Sequence, residues 1–368
     1  MTRSDRPLIL HVFSTFKTGG TQVRTIKLIE EIGRDSRHCI VAMDGQYDAL
    51  ELLKDKSLVD HMEHPNSDGG LFTRLNRYRY WIRSFNPQKV FTYNWGAAEI
   101  AMAAQFVPGI EHFHFEDGFG PDEAQKQLSR RVWFRRFALL RAKRIIVPSQ
   151  TLKTIATTIW KFSERKVQLI ENGIAAKKFD CDPDIGLLGL NKRDGDIWIG
   201  TVAGLRHEKR LDRLIDAFAN LDLPENYHLL LIGTGYLFEN LKQKIQELGL
   251  EKNVHFPGFV PEPYRYLKAL DIFALSSDTE QFPISLVEAM AASRAALATD
   301  VGDIRAILPK AQHDFIFDKQ DAEAFQQGLS ALLKDPVLRL ALGQANREKV
   351  TRCYTETRMF EAYQTIFS

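Results

Sequence analysis

The sequence predicts an α/β chain of two domains, each a parallel sheet with helices on both faces. Three observations carry this. Short, continuously apolar segments such as Leu8–Phe13 and Ile197–Val202 have the composition of strands buried on both sides. They alternate with stretches whose apolar residues recur at helical spacing, which calls for a parallel sheet. The alternation halts near Ile170 and restarts at Ile197, after a polar stretch rich in Asp and Gly. A length of 368 residues suits two domains, each large enough for its own core.

Composition excludes several classes. A hydrophobic share of 44% and a charged share of 26% are ordinary for a water-exposed globular protein. The net charge of +2 is too small to indicate a nucleic-acid partner. Cys39, Cys181 and Cys353 show neither pairing nor zinc spacing, so a reducing cytoplasm is expected. The basic start followed by Leu8–Phe13 reads as a first strand, since the apolar run is too short for a signal peptide. No apolar segment approaches the roughly 20 residues of a membrane span.

The first strand, Leu8–Phe13, leads through Lys17-Thr18-Gly19-Gly20 into a helix from about Thr21 to Ile32. Strand, glycine pair and helix make a backbone that an anion can approach closely, although a ligand-free tight turn has the same sequence. His38–Met43, Lys89–Tyr93 and Gly109–Phe115 are further strands, with helices over Arg74–Phe85 and Gly96–Phe106. Next comes His114-Phe115-Glu116-Asp117-Gly118-Phe119-Gly120, at the strand end where such sheets place ligands. His112 reads as a strand histidine. His114 is the candidate for touching a ligand bound there, with Glu116 and Asp117 as rivals.

Ser129–Arg144 holds seven basic residues, no acidic one, and interleaved aromatics. It reads either as a helix attracted to an anionic membrane surface or as an ordinary helix whose aromatics are core. Ile145–Pro148 is a strand, Gln150–Trp160 a helix and Val167–Ile170 the last strand of this half. Residues 1–176 form the first domain and 177–195 the linker. Asp180-Cys181-Asp182 resembles a metal-holding Asp-x-Asp pair, but it lies in that linker and not at a strand end, so no metal is assigned.

In the second domain, residues 196–351, the strand Ile197–Val202 ends at Ala203-Gly204-Leu205-Arg206-His207-Glu208-Lys209-Arg210. Arg206 and Lys209 there would neutralise a diphosphate without a metal. His228–Ile232 closes on Gly233-Thr234-Gly235, and Asn253–Phe256 on the turn Gly258-Phe259-Val260. Asp271–Leu275 then breaks at Ser276-Ser277, and a helix starts near Pro283, which suits a first helical position. Leu286, Ala289, Met290 and Ser293 form its inner face. Glu280 precedes this helix and Glu288 lies within it. Between them, the amides of Phe282, Ile284 and Ser285 make an anion site at a helix N-terminus. Phosphate suits the amides and hydroxyl groups suit the carboxylates, and a ligand with both is a nucleotide sugar. Ala295–Thr299 is the next strand, Val301-Gly302-Asp303 a turn, and Ala322–Leu333, Pro336–Val350 and Thr355–Phe367 are helices.

The segments FSTFKTGG, LIENGIAAKKF, IGTVAGLRHEK, LLLIGTG, VHFPGFVPE, DIFALSSDTEQFPISLVEAMA and ATDVGD, in this order, resemble the retaining glycosyltransferases of family 4. The resemblance implies the GT-B architecture of two facing Rossmann-like domains, with a C-terminal helix, here 352–368, crossing back to the first. It implies that Glu280 contacts the donor sugar's hydroxyls and Glu288 the ribose hydroxyls. It places the diphosphate on Arg206, Lys209 and the backbone around Phe282, Pro283, Ile284, Ser285 and Leu286. Val260 would lie near the base, and Gly19 and Gly20 near phosphates and acceptor. Ala203-Gly204 departs from a common Gly-Arg, as does Ser293-Arg294 from a common Gly. The expected activity is hexosyl transfer from a UDP- or GDP-sugar to a saccharide or lipid-linked acceptor, with no metal or other cofactor. It would run in the cytoplasm or at the inner face of the cell membrane. A nucleotide-sugar epimerase on the same architecture and a non-catalytic carbohydrate- or membrane-binding scaffold are the alternatives. A nicotinamide dehydrogenase is disfavoured, because neither half has a GxGxxG turn with a ribose-binding acid beyond it.

Overall fold

The computed structural model describes residues 6–119, 123, 126–221 and 225–368. Gly120, the last residue of the candidate loop after the Gly109–Phe115 strand, lies outside the described residues. The chain divides into two compact units: residues up to Glu171 together with Met359–Ser368, and Asn172–Arg358.

The first unit is a seven-stranded parallel sheet, ordered β3-β2-β1-β4-β5-β6-β7. Its strands are β1 (Leu8–Phe13), β2 (Arg37–Ala42), β3 (Val59–His61), β4 (Lys89–Tyr93), β5 (Glu111–Phe115), β6 (Arg144–Val147) and β7 (Val167–Leu169). Helices α1 (Gly20–Ile32), α2 (Leu71–Phe85), α3 (Ala98–Ala104), α4 (Ser129–Ala138) and α5 (Gln150–Thr158) connect them. Successive residues of a strand face opposite sides. Phe13, Phe91, Tyr93, Phe113 and Phe115 therefore share one face, and pack with Ile26 and Ile29 of α1. Leu10, Val12 and Val90 point the other way, onto Tyr78 and Ile82 of α2 and Ile100 and Ala103 of α3.

The second unit is a six-stranded parallel sheet, ordered β10-β9-β8-β11-β12-β13. It comprises β8 (Ile197–Val202), β9 (Tyr227–Ile232), β10 (Val254–Gly258), β11 (Ile272–Leu275), β12 (Ala295–Thr299) and β13 (Ile316–Phe317). Its helices are α6 (Leu211–Ala219), α7 (Phe238–Glu247), α8 (Ile284–Ala291), α9 (Ile304–Ile307), α10 (Ala322–Lys334) and α11 (Pro336–Cys353). Helix α12 (Glu356–Phe367) follows. From Met359 onward it packs on the first unit, where Met359, Tyr363, Ile366 and Phe367 are at most 4% exposed. Each such side chain stabilises the packing by about 1.5–3 kcal/mol, more than a surface ion pair would.

Several expectations are corrected. Residues 177–195 are part of the second unit: two short 3-10 turns, Ala176–Asp180 and Ile185–Leu188, bury Phe179 and Leu188 in its core. The basic helix ends at Ala138, well short of Arg144, because the Lys143 amide donates to the His112 carbonyl and draws the chain into the sheet as β6, between β5 and β7. Pro283 caps α8 and is not its first residue. Ser293 lies beyond α8, in a left-handed conformation with φ 59°, which explains why glycine suits that position. Strands β3 and β13 have no signal in the sequence, being three and two residues long.

Candidate functional site

In the second unit the loops that leave the C-terminal ends of β8, β9, β11 and β12 are stitched to one another. Gly233 donates to the Gly258 carbonyl, and the Leu205 amide to the Thr234 carbonyl. A Cβ on Gly233 would stand 2.0 Å from the Ala203 carbonyl oxygen, and one on Gly235 would stand 2.3 Å from that of Leu205. The Gly-Thr-Gly turn is thus glycine-rich because the neighbouring loop needs the space. The Ser276 hydroxyl donates to the carbonyls of Lys209 and Arg210 at 3.0 and 2.9 Å, and the Asp278 amide donates to the Glu208 carbonyl at 2.8 Å. Asp278 also accepts from Arg213 at 2.8 Å and from Arg210 at 3.3 Å. Burial pushes the Asp278 carboxyl up, but the two guanidinium groups outweigh it and hold it below the usual carboxylate range.

This framework brings Lys209 and Glu280 together. Lys209 Nζ donates to Glu280 Oε1 at 2.5 Å, and the Ser277 hydroxyl donates to the same oxygen at 2.7 Å. The Lys209 and Glu280 side chains are 24% and 10% exposed, so solvent reaches both. Oε2 of Glu280 takes no hydrogen bond among the described residues. Arg206 is exposed beside them and has no ion pair among the described residues. Helix α8 begins three residues after Gln281, and the amides of Ile284 and Ser285 fall in its first turn, where no intrahelical acceptor exists. Phe282 and Leu286 are buried supports beneath that turn.

Glu288 lies one turn further along α8. It is the second cause, after burial, of the raised pKa of Tyr266, whose hydroxyl donates to the Val260 carbonyl at 3.2 Å. The Glu288 charge and the Val260 carbonyl thus act on the same Tyr266 hydroxyl, and Phe259 in the Val260 turn is 65% exposed. An exposed aromatic ring here provides a stacking surface. Arg206, Lys209, Val260, Glu280, Glu288 and the Phe282–Leu286 backbone all lie in the segments that follow β8, β10 and β11 of one sheet. Sequence reading missed Ser277, Asp278 and Tyr266, whose roles rest on contacts distant in the chain.

In the first unit, α1 starts at Gly20, with Gly19 extended before it and Lys17 exposed in the same loop. Arg24 of α1 grips Asp117 with two bonds of 2.6 and 2.8 Å, which fixes the loop after β5 against that helix. His114 does not reach a ligand position. It is 2% exposed, its Nδ1 is 2.9 Å from the Thr92 hydroxyl, and its Nε2 is 3.7 Å from Glu116. The physical reason is strand alternation: Phe113 and Phe115 take one face, which leaves His112 and His114 on the other, beneath α4. Burial, followed by the charges of His114 and Lys166, lowers the His112 pKa to about 3, so that ring stays neutral. Glu116 is buried 3.3 Å from Arg135 Nε, and Arg135 also bonds Glu123. Asp180 of the Asp-x-Asp pair accepts from Arg347 at 2.6 Å.

Helix α4 is not a purely internal helix. Val132, Arg135 and Ala138 are buried, but Trp133 and Phe137 are 56% and 59% exposed, as is Leu140, just beyond the helix, at 64%. Arg136 stacks over Trp133, and Arg130, Arg141, Lys143 and Arg144 are exposed around them. Among the described residues, no helix is long and apolar enough to cross a membrane.

Two parallel-sheet α/β units, each with its polar groups on strand-end loops, define the GT-B class of glycosyltransferase folds. The solved structure of Anabaena Alr3699/HepE in complex with UDP and glucose shares this fold, with a TM-score of 0.83 and 18% identity over 99% of this chain and 100% of that one. Residues 18–178 match the family described as Glycosyltransferase Family 4, and residues 189–349 match Glycosyl transferases group 1. The chain belongs to glycosyltransferase family 4. N-acetyl-alpha-D-glucosaminyl L-malate synthase of Bacillus anthracis is 28% identical over 45% of this chain and 44% of its own length. The N-acetylgalactosamine-N,N'-diacetylbacillosaminyl-diphospho-undecaprenol 4-alpha-N-acetylgalactosaminyltransferase of Campylobacter jejuni is 32% identical over 40% of each. The matched segments thus span less than half the length of these curated relatives.

Proposed function

We propose that the chain transfers a hexose from a nucleotide diphosphate sugar to a saccharide or lipid-linked acceptor, with retention of anomeric configuration, in cell-surface polysaccharide or lipopolysaccharide synthesis. The observation that carries this is the Lys209–Glu280 pair beside the first turn of α8. In this reading the α8 amides, Lys209 and Arg206 hold the diphosphate, which leaves no charge that a metal must neutralise. Glu280 Oε2 takes a hydroxyl of the donor sugar, Glu288 takes the ribose, and Phe259-Val260 takes the base. The glycosidic C1–O bond breaks with its electron pair going to the diphosphate. The acceptor oxygen bonds C1 from the same face and passes its proton to the departing phosphate. The cations and the helix N-terminus stabilise the charge that develops there. The Gly19-Gly20 turn at the start of α1 contributes a second set of free amides for phosphate or acceptor.

The HepE structures hold UDP and UDP-glucose, which favours UDP over GDP as the carrier. A thermal-shift screen of UDP-, GDP- and ADP-sugars tests the donor, because a bound donor raises the melting temperature by mass action. Glu288→Ala is expected to weaken the donor found by about tenfold or more, the usual effect of losing a hydrogen bond to a charged group. An unchanged dissociation constant by calorimetry would remove Glu288 from the site. Conversion of the donor sugar without acceptor would instead indicate an epimerase, and absence of nucleotide binding a scaffold.

The exposed face of α4 fits peripheral attachment to an anionic membrane. Two aromatics and a leucine enter the interface while the surrounding cations meet lipid phosphates, each worth about 1 kcal/mol. Replacing Trp133 and Phe137 with Ser, and Arg130 and Arg141 with Gln, is expected to abolish co-sedimentation with vesicles containing phosphatidylglycerol. Equal sedimentation of variant and wild type would refute membrane attachment by this face.

A further inference from the structure

A cavity of about 200 Å3 opens at the C-terminal edge of the first sheet, and none of the donor-site residues lines it. Trp95, Phe134 and Tyr78 wall it, Met43 lies at one side, and Glu99 supplies the carboxylate. Trp95 and Phe134 meet edge to face with centroids 5.5 Å apart. Tyr78 is 1% exposed, whereas Trp95, Phe134 and Glu99 are half-buried and reachable. Glu99 is held by both arms of Arg74, at 2.8 and 2.7 Å, so its carboxylate plane is fixed and its remaining lone pairs are free to accept.

The backbone that presents Trp95 is strained. Asn94 has φ 56° and ψ −175°, a region that essentially only glycine adopts, and such strain collects at ligand sites. It is held there by two bonds: the Asn94 amide donates to the Phe115 carbonyl at 2.8 Å, and its side-chain oxygen accepts from the Asp117 amide at 2.7 Å. Beneath Trp95, the guanidinium groups of Arg131 and Arg135 lie 4.8 and 5.0 Å from its ring. Trp95 is therefore clamped on a strained turn, yet part of it is left open to solvent. A Cβ on the next residue, Gly96, would stand 2.2 Å from the Ser14 Cβ, so the loop after β1 closes against the same turn.

We propose that this cavity is the subsite for one hexopyranose ring of the acceptor saccharide, a reading that rests on the transferase function. Its volume lies below the 300–1,000 Å3 of pockets for larger ligands and suits a single sugar ring. The apolar C–H face of a pyranose stacks on Trp95 and Phe134, and its equatorial hydroxyls reach the fixed Glu99–Arg74 pair. A nucleotide is disfavoured, because no cation is among the described lining residues to meet its phosphates.

The test titrates the full chain with methyl glycosides of glucose, galactose, mannose and their N-acetylamino forms, by ligand-observed NMR, and separately with UDP and GDP by calorimetry. At least one glycoside is expected to bind saturably. Trp95→Ala is expected to weaken it by about tenfold and Glu99→Gln by about fivefold, with Trp95→Phe restoring most of the affinity and nucleotide binding unmoved. If Trp95→Ala does not fold, Phe134→Leu carries the same expectation. No glycoside binding, or equal binding by wild type and the Trp95 or Phe134 variant, overturns the proposal. A wild type that binds the glycoside but neither nucleotide supports this subsite while removing the transferase reading.

Discussion

Lys209→Ala is expected to lower kcat by about 10²–10³-fold, the usual effect of removing one preorganised group from developing charge. The donor's affinity is expected to fall much less, because an exposed ground-state diphosphate can still use the α8 amides and Arg206. The structure adds a reason for a large effect. Lys209 Nζ and the Ser277 hydroxyl both donate to Glu280 Oε1, so Lys209 also sets the direction of Glu280. Without the ammonium, Glu280 keeps only one of these two donors, the Ser277 hydroxyl. One substitution therefore removes a cation from the leaving group and loosens the carboxylate assigned to the sugar. Lys209→Arg keeps the charge but not its shape, since a planar fork replaces a compact ammonium. It is expected to recover affinity more than turnover. Steady-state kinetics with saturating acceptor separates the cases. A variant that raises KM with kcat unchanged would show that Lys209 binds ground state and transition state alike, against the assigned role.

The two-unit α/β plan was legible because buried parallel strands such as β1 and β8 leave unbroken apolar runs, and ligand loops follow them at fixed places in the chain. That regularity put Lys209 and Glu280 among the candidates. It could not show that they touch, since 71 residues separate them. His114 was misplaced by the same regularity: nearness to a strand end suggested a ligand contact, but the two-residue period of β5 turned the ring inward onto Thr92. The end of α4 at Ala138 was hidden because Leu139–Arg144 continues its basic and apolar composition, and only the sheet bond from Lys143 to His112 stops it. The aromatics of α4 were ambiguous for a related reason. Periodicity identifies a helical face but not what covers it, and Trp133 and Phe137 proved to be uncovered. The strain at Asn94 left no trace in composition, because asparagine is ordinary in turns.

Gly302→Ala is expected to cost the second unit several kcal/mol of stability and most of the activity, although Gly302 touches no ligand in the proposed site. Two terms add. Its φ of +56° costs an alanine about 1–2 kcal/mol in the left-handed region. Its Cβ would also stand 2.1 Å from the Glu280 carbonyl oxygen and 2.8 Å from the Glu280 carbonyl carbon, so a backbone must move. The backbone that moves carries Glu280 itself, one residue before Gln281, whose carbonyl accepts from the Asp303 amide at 3.3 Å. Displacement there shifts Glu280 away from Lys209, and a misplacement of about 1 Å typically costs on the order of 10²-fold in rate. Gly249→Ala is the matched control, since Gly249 has φ +67° but no atom within 4 Å of its added Cβ. It should show the conformational cost alone, about 1–2 kcal/mol, with kcat intact. Urea denaturation and kinetics on the two variants give both readouts. Equal stability losses would mean that the loop after β12 does not brace Glu280, and the geometric argument for the site would lose its support.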